Sequence, residues 1–419
     1  MPSRSGQTMS GETSLRQPPE PGVAQRPLTY LLVCDEWSPT KGGISQFNRR
    51  LATALAAAGH RTCCLVESAT DRERLDAQER GVKLITAAHP PSGPNLFVFA
   101  REVAAEDPSV VVGHDIISGS AAWTWARQYL PNASLVHIVH TPSRIEPYKR
   151  DDDATRRTEE RERVTRRIAS DADVVAAVGP SLARSTAAMV GGGISVLQLD
   201  PGMDVPEQIG DGPRDAPANP TVLVFSRGAH IQPKGLDIAA HAVAGLVVPY
   251  GKPQPDLLIR GAPVERCDWL RRYLVDESRL SRGQIDVRPY TDDPDQLDRD
   301  LTRSMLCVMP SRAEGFGLAA VEAIALGTPV RVSDKSGLAE TLRYHLGWLA
   351  EPMIVEVVDN LEQDVARWRA AIQQVLDDPI GAFKYAADIR SKLKDVLRWD
   401  TMAARLTAAL AIPAQRCHR

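Results

Sequence analysis

Met305-Leu306-Cys307-Val308-Met309-Pro310-Ser311-Arg312-Ala313-Glu314-Gly315-Phe316-Gly317-Leu318 runs on through Glu322 to Gly327-Thr328-Pro329-Val330. The stretch reads as a buried strand, a glycine loop holding a carboxylate, a helix with a second carboxylate, and another strand. Glu314 and Glu322 stand eight positions apart across a loop-to-helix junction, so both can face one cleft. The helix start offers free backbone N–H groups and the positive end of a dipole, which suits a phosphate. Gly315 and Gly317 let a ligand approach the backbone closely. A carboxylate beside such a site is a poor phosphate ligand and a good acceptor for sugar hydroxyls. Phosphate next to sugar hydroxyls points to a nucleotide-sugar. Two glutamates alone would read as a solvated loop residue and a solvated helix residue. The whole string of Pro, Ser, Glu and Gly positions carries the reading.

Outward from this stretch, apolar runs alternate with helical patterns along the whole chain, the signature of βαβ units and parallel sheets. In the first half, strands are expected at 30–34, 61–66, 83–85, 110–112, 135–139, 174–178 and 196–199. Residues 201–220 are the densest Pro/Gly/Asp segment and form the natural linker. The pattern then restarts, with strands expected at 221–226, 256–260, 285–288, 305–309 and 329–333. The expected units are a disordered tail over 1–26, one α/β domain over 27–200, the linker, a second α/β domain over 221–395, and an amphipathic helix over 396–412.

Three further positions carry chemistry. Gly42-Gly43 follows the first strand and opens a helix, where an open α/β sheet places its ligand crevice. Ser226-Arg227-Gly228 and Lys234-Gly235 follow the strand over 221–226. Arginine offers a planar fork of donors and lysine a compact charge, and both suit a diphosphate. His114 and His140 each end a strand on the side where α/β sites form, while His137 alternates within a strand and reads as core.

The Glu314–Val330 stretch resembles the Glu-x7-Glu signature of the retaining glycosyltransferases of family four, which have the GT-B fold. The resemblance covers roughly residues 28–412. It implies two Rossmann-like domains with parallel sheets facing each other across a cleft, and a last helix that crosses back to the first domain, with Trp399 and Asp400 at its start. It implies transfer from a nucleotide-diphosphate sugar to an acceptor hydroxyl with retention. Arg227 and Lys234 would meet the departing diphosphate, and Glu314 would hold the donor sugar. Glu322 would bind the ribose. The Gly42-Gly43 loop would lie near the donor phosphates, with Phe316, Gly317 and Leu318 lining the donor site. Tyr290 stands where the family contacts the nucleobase. His140, in a His-Thr-Pro context, ranks above His114 as the histidine that contacts the donor sugar. No metal or cofactor is expected, since no paired aspartates suggest one.

Composition narrows the remaining classes. Net charge is −3, which leaves no basic footprint for nucleic acid. No run approaches the ~18–20 apolar residues of a membrane span. The mixed-charge run 149–167 could be compared with the basic helices by which some relatives reach lipid. Its acids nearly cancel its bases, so it reads as a solvated helix with i,i+4 pairs rather than a peripheral membrane contact. None of the six cysteines forms a Cys-x-x-Cys, and Cys34, Cys63, Cys64 and Cys307 sit in apolar runs and read as buried free thiols, which fits a cytoplasmic protein. The acceptor is open: glycolipid, glycan, small metabolite or protein. A disaccharide phosphorylase of the same fold, a nucleotide-sugar epimerase and a non-catalytic nucleotide-sugar sensor are the alternatives.

Overall fold

A computed structural model describes residues 26–38, 42–143, 153–226, 231–291 and 293–411. Seven strands form a first sheet: β1 (Thr29–Val33), β2 (Arg61–Val66), β3 (Val82–Thr86), β4 (Val110–His114), β5 (Ser134–Val139), β6 (Val174–Val178) and β7 (Val196–Leu199). Six form a second: β8 (Thr221–Phe225), β9 (Asp256–Ala262), β10 (Ile285–Pro289), β11 (Leu306–Met309), β12 (Val330–Ser333) and β13 (Ile354–Val355). Their orders are β3-β2-β1-β4-β5-β6-β7 and β10-β9-β8-β11-β12-β13, and every pairing is parallel. Helices cover both faces of a parallel sheet, so its strands are continuous apolar runs. Leu31, Leu32 and Val33 in β1, for example, are fully buried.

Strand order reverses between β1 and β4 in the first sheet and between β8 and β11 in the second. A crevice opens beyond the carboxyl ends of strands at such a point. His114 ends β4, and the loops that leave β1, β8 and β11 carry Gly42, Lys234 and Glu314. The chain folds as two Rossmann-like domains, as the sequence implies.

Two chain segments join the halves side by side. Met203 N–H donates to the Leu397 carbonyl at 2.8 Å. Trp399 Nε1–H donates to Asp204 Oδ2 at 3.1 Å. The last helix, Trp399–Leu410, lies against the helix Gly43–Ala57 of the first half. There Trp399 meets Phe47 edge-on, and the Tyr30 and Thr407 hydroxyls bond at 2.9 Å. The charged run continues as the helix Ala154–Asp171, where Arg163 pairs with Glu160 and Arg166 with Glu162. Cys34, Cys63, Cys64 and Cys307 are buried free thiols and Cys267 is half-buried, while Cys417 lies outside the described residues. Among the described residues no helix is long and apolar enough to cross a membrane.

Candidate active site

The second half brings its two charged candidate residues into contact. Lys234 Nζ lies 2.6 Å from Glu314 Oε2, and the Ser311 hydroxyl donates to the same oxygen at 3.1 Å. Neither side chain is in open solvent: Lys234 is 25% exposed and Glu314 14%. The loop carrying Lys234 is pressed onto the end of β11. Gly235 adopts φ 64°, and a Cβ there would fall 2.0 Å from the Pro310 carbonyl oxygen. A residue with a Cβ here would strain the turn that follows Lys234.

Two helix N-termini meet across the cleft. Leu318–Ala325 begins after Gly317 (φ 112°) and Gly43–Ala57 after Gly42 (φ 123°), and neither start has a side-chain cap. Their first-turn N–H groups are therefore open to an anion. Leu318 reaches over to Gly43, 3.7 Å from where a Cβ would sit. The Phe316 ring turns into the core against Gly179 and Gly337, so its backbone is what faces the loop. Gly315 abuts the first half so closely that a Cβ would lie 2.2 Å from the His140 carbonyl oxygen.

His140 belongs to a chain of polar groups running into the first domain. Asn48 donates its amide N–H to Cys64 Sγ at 3.3 Å, leaving its Oδ1 to accept from His114 Nε2 at 2.9 Å. His114 Nδ1 then accepts from His140 Nε2 at 2.9 Å. In this arrangement both rings are neutral, and His140 keeps its lone pair on Nδ1. Burial favours the neutral form. It holds His114 well below the usual imidazole range and, with His137 nearby, brings His140 down to about 3. Asp115 fixes the backbone here. One of its carboxylate oxygens accepts from the His140 N–H at 2.7 Å and the other from the Thr141 hydroxyl at 2.5 Å. The two candidate histidines are thus one hydrogen-bonded unit with His140 on the cleft side, while His137 is fully buried.

Glu322 stands apart from the Lys234–Glu314 pair. Gln46, from the helix Gly43–Ala57, donates to its Oε1 at 2.9 Å across the cleft. Burial pushes its carboxyl up to about 7, with Arg50 pulling it down and Asp298 and Asp204 pushing it up. Tyr290 lies at the end of β10, two strands from β8, its N–H on the Ala262 carbonyl. Arg227 lies outside the described residues. Gln46, Asn48 and Asp115 carry no sequence signal as site residues. Each is a polar side chain whose role depends on a partner from another element.

Compared with known proteins, residues 31–406 match the family model described as Family 4 Glycosyltransferase in conflict systems. The chain is 28% identical over 432 residues to a glycogen synthase of Mycobacterium tuberculosis, covering 94% of this chain and 96% of that one. It is 29% identical over 219 residues to a D-inositol 3-phosphate glycosyltransferase of Thermobispora bispora, covering 48% and 46%. Among solved structures, sucrose-phosphate synthase from Thermosynechococcus elongatus superposes with a TM-score of 0.71 at 22% identity, covering 91% of this chain and 97% of that one. Anabaena HepE in complex with UDP and glucose superposes at 0.67 and 16% identity, covering 92% and 99%. At these identities the structural likeness is one of fold.

Proposed function

The chain belongs to the family 4 glycosyltransferases of conflict systems, and from that premise we propose that it moves a sugar from a nucleoside-diphosphate sugar to an acceptor hydroxyl with retention of configuration. The observation that carries the reading is the Lys234–Glu314 pair, 2.6 Å apart, beside two facing, uncapped helix N-termini. Positive charge and free N–H groups suit a diphosphate, and the carboxylate suits sugar hydroxyls. The named relatives are themselves glycosyl-transferring enzymes, and a UDP and glucose complex exists for a protein of the same fold. UDP-glucose is therefore the first donor to try.

The chemistry assigned to these residues is a leaving-group step. The bond between the sugar anomeric carbon and the diphosphate oxygen breaks, and charge develops on that oxygen. Lys234 and the N–H groups around Gly317 and Leu318 meet this charge, which is electrostatic stabilisation aimed at the transition state. Arg227, by its resemblance to the family, joins them. The acceptor hydroxyl attacks the same face, and its proton passes to the departing diphosphate oxygen. With this positive charge at hand the step is proposed to be metal-independent. Glu314 holds donor hydroxyls, and Glu322 holds the ribose once Gln46 gives way. His140, neutral near the reacting face, supplies a hydrogen-bonding edge without adding positive charge. Closure of the two halves excludes water and limits hydrolysis.

The test is Lys234→Ala, assayed for nucleoside diphosphate release with donor and acceptor. Loss of one oriented charge in such a site costs ~100- to 1,000-fold in kcat. The fold should survive with a lowered thermal midpoint, because Glu314, only 14% exposed, loses its charged partner. Turnover equal to wild type would remove Lys234 from the mechanism.

A further inference from the structure

We infer that Arg312 is the positioning residue that sets the Lys234–Glu314 geometry, acting through the Lys234 loop rather than on substrate. Its catalytic consequence rests on the transferase reading above; its structural consequence does not.

Arg312 grips the chain on both sides of Lys234. Its backbone N–H donates to the Pro233 carbonyl at 3.0 Å. Its Nη1 donates to the Gln232 carbonyl at 2.9 Å and to Asp237 Oδ1 at 2.9 Å. Its Nη2 donates to Asp237 Oδ2 at 2.8 Å. Two anchors lie just before Lys234 and one three residues after it. Gly235, between them, is pressed against the Pro310 carbonyl. On its own strand end, Arg312 stands two residues before Glu314 and next to Ser311, whose hydroxyl holds Glu314. The segment 310–312 is thus a template on which the loop 232–237 is laid, and the same segment places the carboxylate that Lys234 meets.

The residue type fits this role. The Arg312 and Asp237 side chains are only 9% and 14% exposed. A guanidinium can pair bidentately with a carboxylate and still spend a donor on a carbonyl. A lysine offers one point charge and cannot hold both partners in one plane. A buried ion pair that served only stability would be replaceable by apolar packing at little cost. Here the partners are concentrated within three residues of a single charged side chain, and replacement would free that side chain to wander. Asp359, 3.9 Å from Nε, is a more distant neighbour on the far side.

The experiment has two arms, run on the full chain with Arg312→Met, Arg312→Lys and Asp237→Asn. The first needs no substrate. Acylation of Lys234 by acetic anhydride is timed by peptide mass spectrometry, with Lys83 and Lys394 as internal references. The expected result is severalfold faster labelling of Lys234 in Arg312→Met and Asp237→Asn, a smaller rise in Arg312→Lys, and unchanged references. An unchanged Lys234 rate overturns the proposal. A variant that unfolds raises all lysines together, and the milder Asp237→Asn then decides. The second arm combines each variant with Lys234→Ala and measures turnover. In wild type Lys234→Ala should cost ~100-fold or more, whereas in Arg312→Met it should cost roughly a tenth of that or less, because residues acting as a unit are not additive. A full Lys234→Ala loss in both backgrounds overturns the proposal. If the wild-type chain turns over no donor, the transferase reading fails, while the labelling arm still decides whether Arg312 positions Lys234.

Discussion

Glu322 sets the pH behaviour expected of the cleft. Its carboxyl is pushed up to about 7 by burial, far above an unfolded-state value near the usual 4.5. The folded chain therefore holds a proton that the unfolded chain has already lost. This contribution to stability is complete below about pH 4.5, and it is lost as pH rises to about 7. Glu322→Gln should flatten that part of the profile, read as thermal midpoint against pH from 4 to 8. An unchanged slope would mean that another group titrates. Under the proposed function, ribose binding needs the carboxylate, so donor affinity should rise over the same interval in wild type and not in the variant. Gly235 gives a second expectation at this scale. A methyl group would meet the Pro310 carbonyl at 2.0 Å in a backbone with φ 64°. Gly235→Ala should cost about 1–3 kcal/mol in denaturant unfolding, the usual scale of backbone strain, and lower turnover with it. A neutral substitution would show that the turn relaxes freely. Glu314 stands out in the sequence only through the whole string around it, Pro310-Ser311 before and Gly315 and Gly317 after, and Lys234 through the Lys-Gly that follows a strand. Phe316 reads as a donor-site residue, yet its ring is only 5% exposed and serves the core. Gln46 and Asn48 are illegible because a polar residue on a helix looks solvated until its partner is known, Glu322 across the cleft for Gln46 and His114 within the first half for Asn48.

At the scale of elements, the strands are legible because burial on both faces makes them unbroken apolar runs. The runs at 61–66, 174–178 and 196–199 coincide with β2, β6 and β7. Strand β13 has only two residues, too few to show a pattern, and it owes its place to pairing with β12. The helix Leu318–Ala325 is legible through its glycine start, whereas its opposition to Gly43–Ala57 comes from tertiary packing alone. The crossing between halves gives a test. A Cβ at Gly202 would fall 2.3 Å from the Trp399 nitrogen and 2.5 Å from its ring. Gly202→Ala should loosen the last helix and destabilise the fold by about 1–3 kcal/mol, the range for overpacking. Protection of the 399–410 amides from hydrogen exchange should fall first. Uniform loss of protection across both sheets would instead mean that the helix is not a separate unit.

Across the whole molecule, the two halves touch at several points. Gln46 meets Glu322, Arg184 meets Glu340 with both carboxylate oxygens at 2.7 Å, and Gly315 lies on His140. The Arg184 pair is largely in solvent, with side chains 67% and 29% exposed, so it adds little to stability. Arg184→Ala should leave the thermal midpoint nearly unchanged. Its effect should appear in closure, as faster donor hydrolysis relative to transfer when water enters the cleft. An unchanged ratio would mean that the pair does not hold the cleft shut. Two facing α/β domains are legible from the alternation of elements and the Pro/Gly-rich join. The fit of one half against the other is not, because sequence spacing says nothing of how separate surfaces meet.

Under the proposed function, Glu314 and Lys234 line a donor site for a nucleotide-sugar. The most direct measurement is release of free nucleoside diphosphate from a panel of UDP-, GDP-, ADP- and dTDP-sugars without acceptor, with wild type beside Glu314→Ala. Slow release from one donor is expected in wild type, and its loss in Glu314→Ala. Release from no donor, or equal release by the variant, would contradict that assignment.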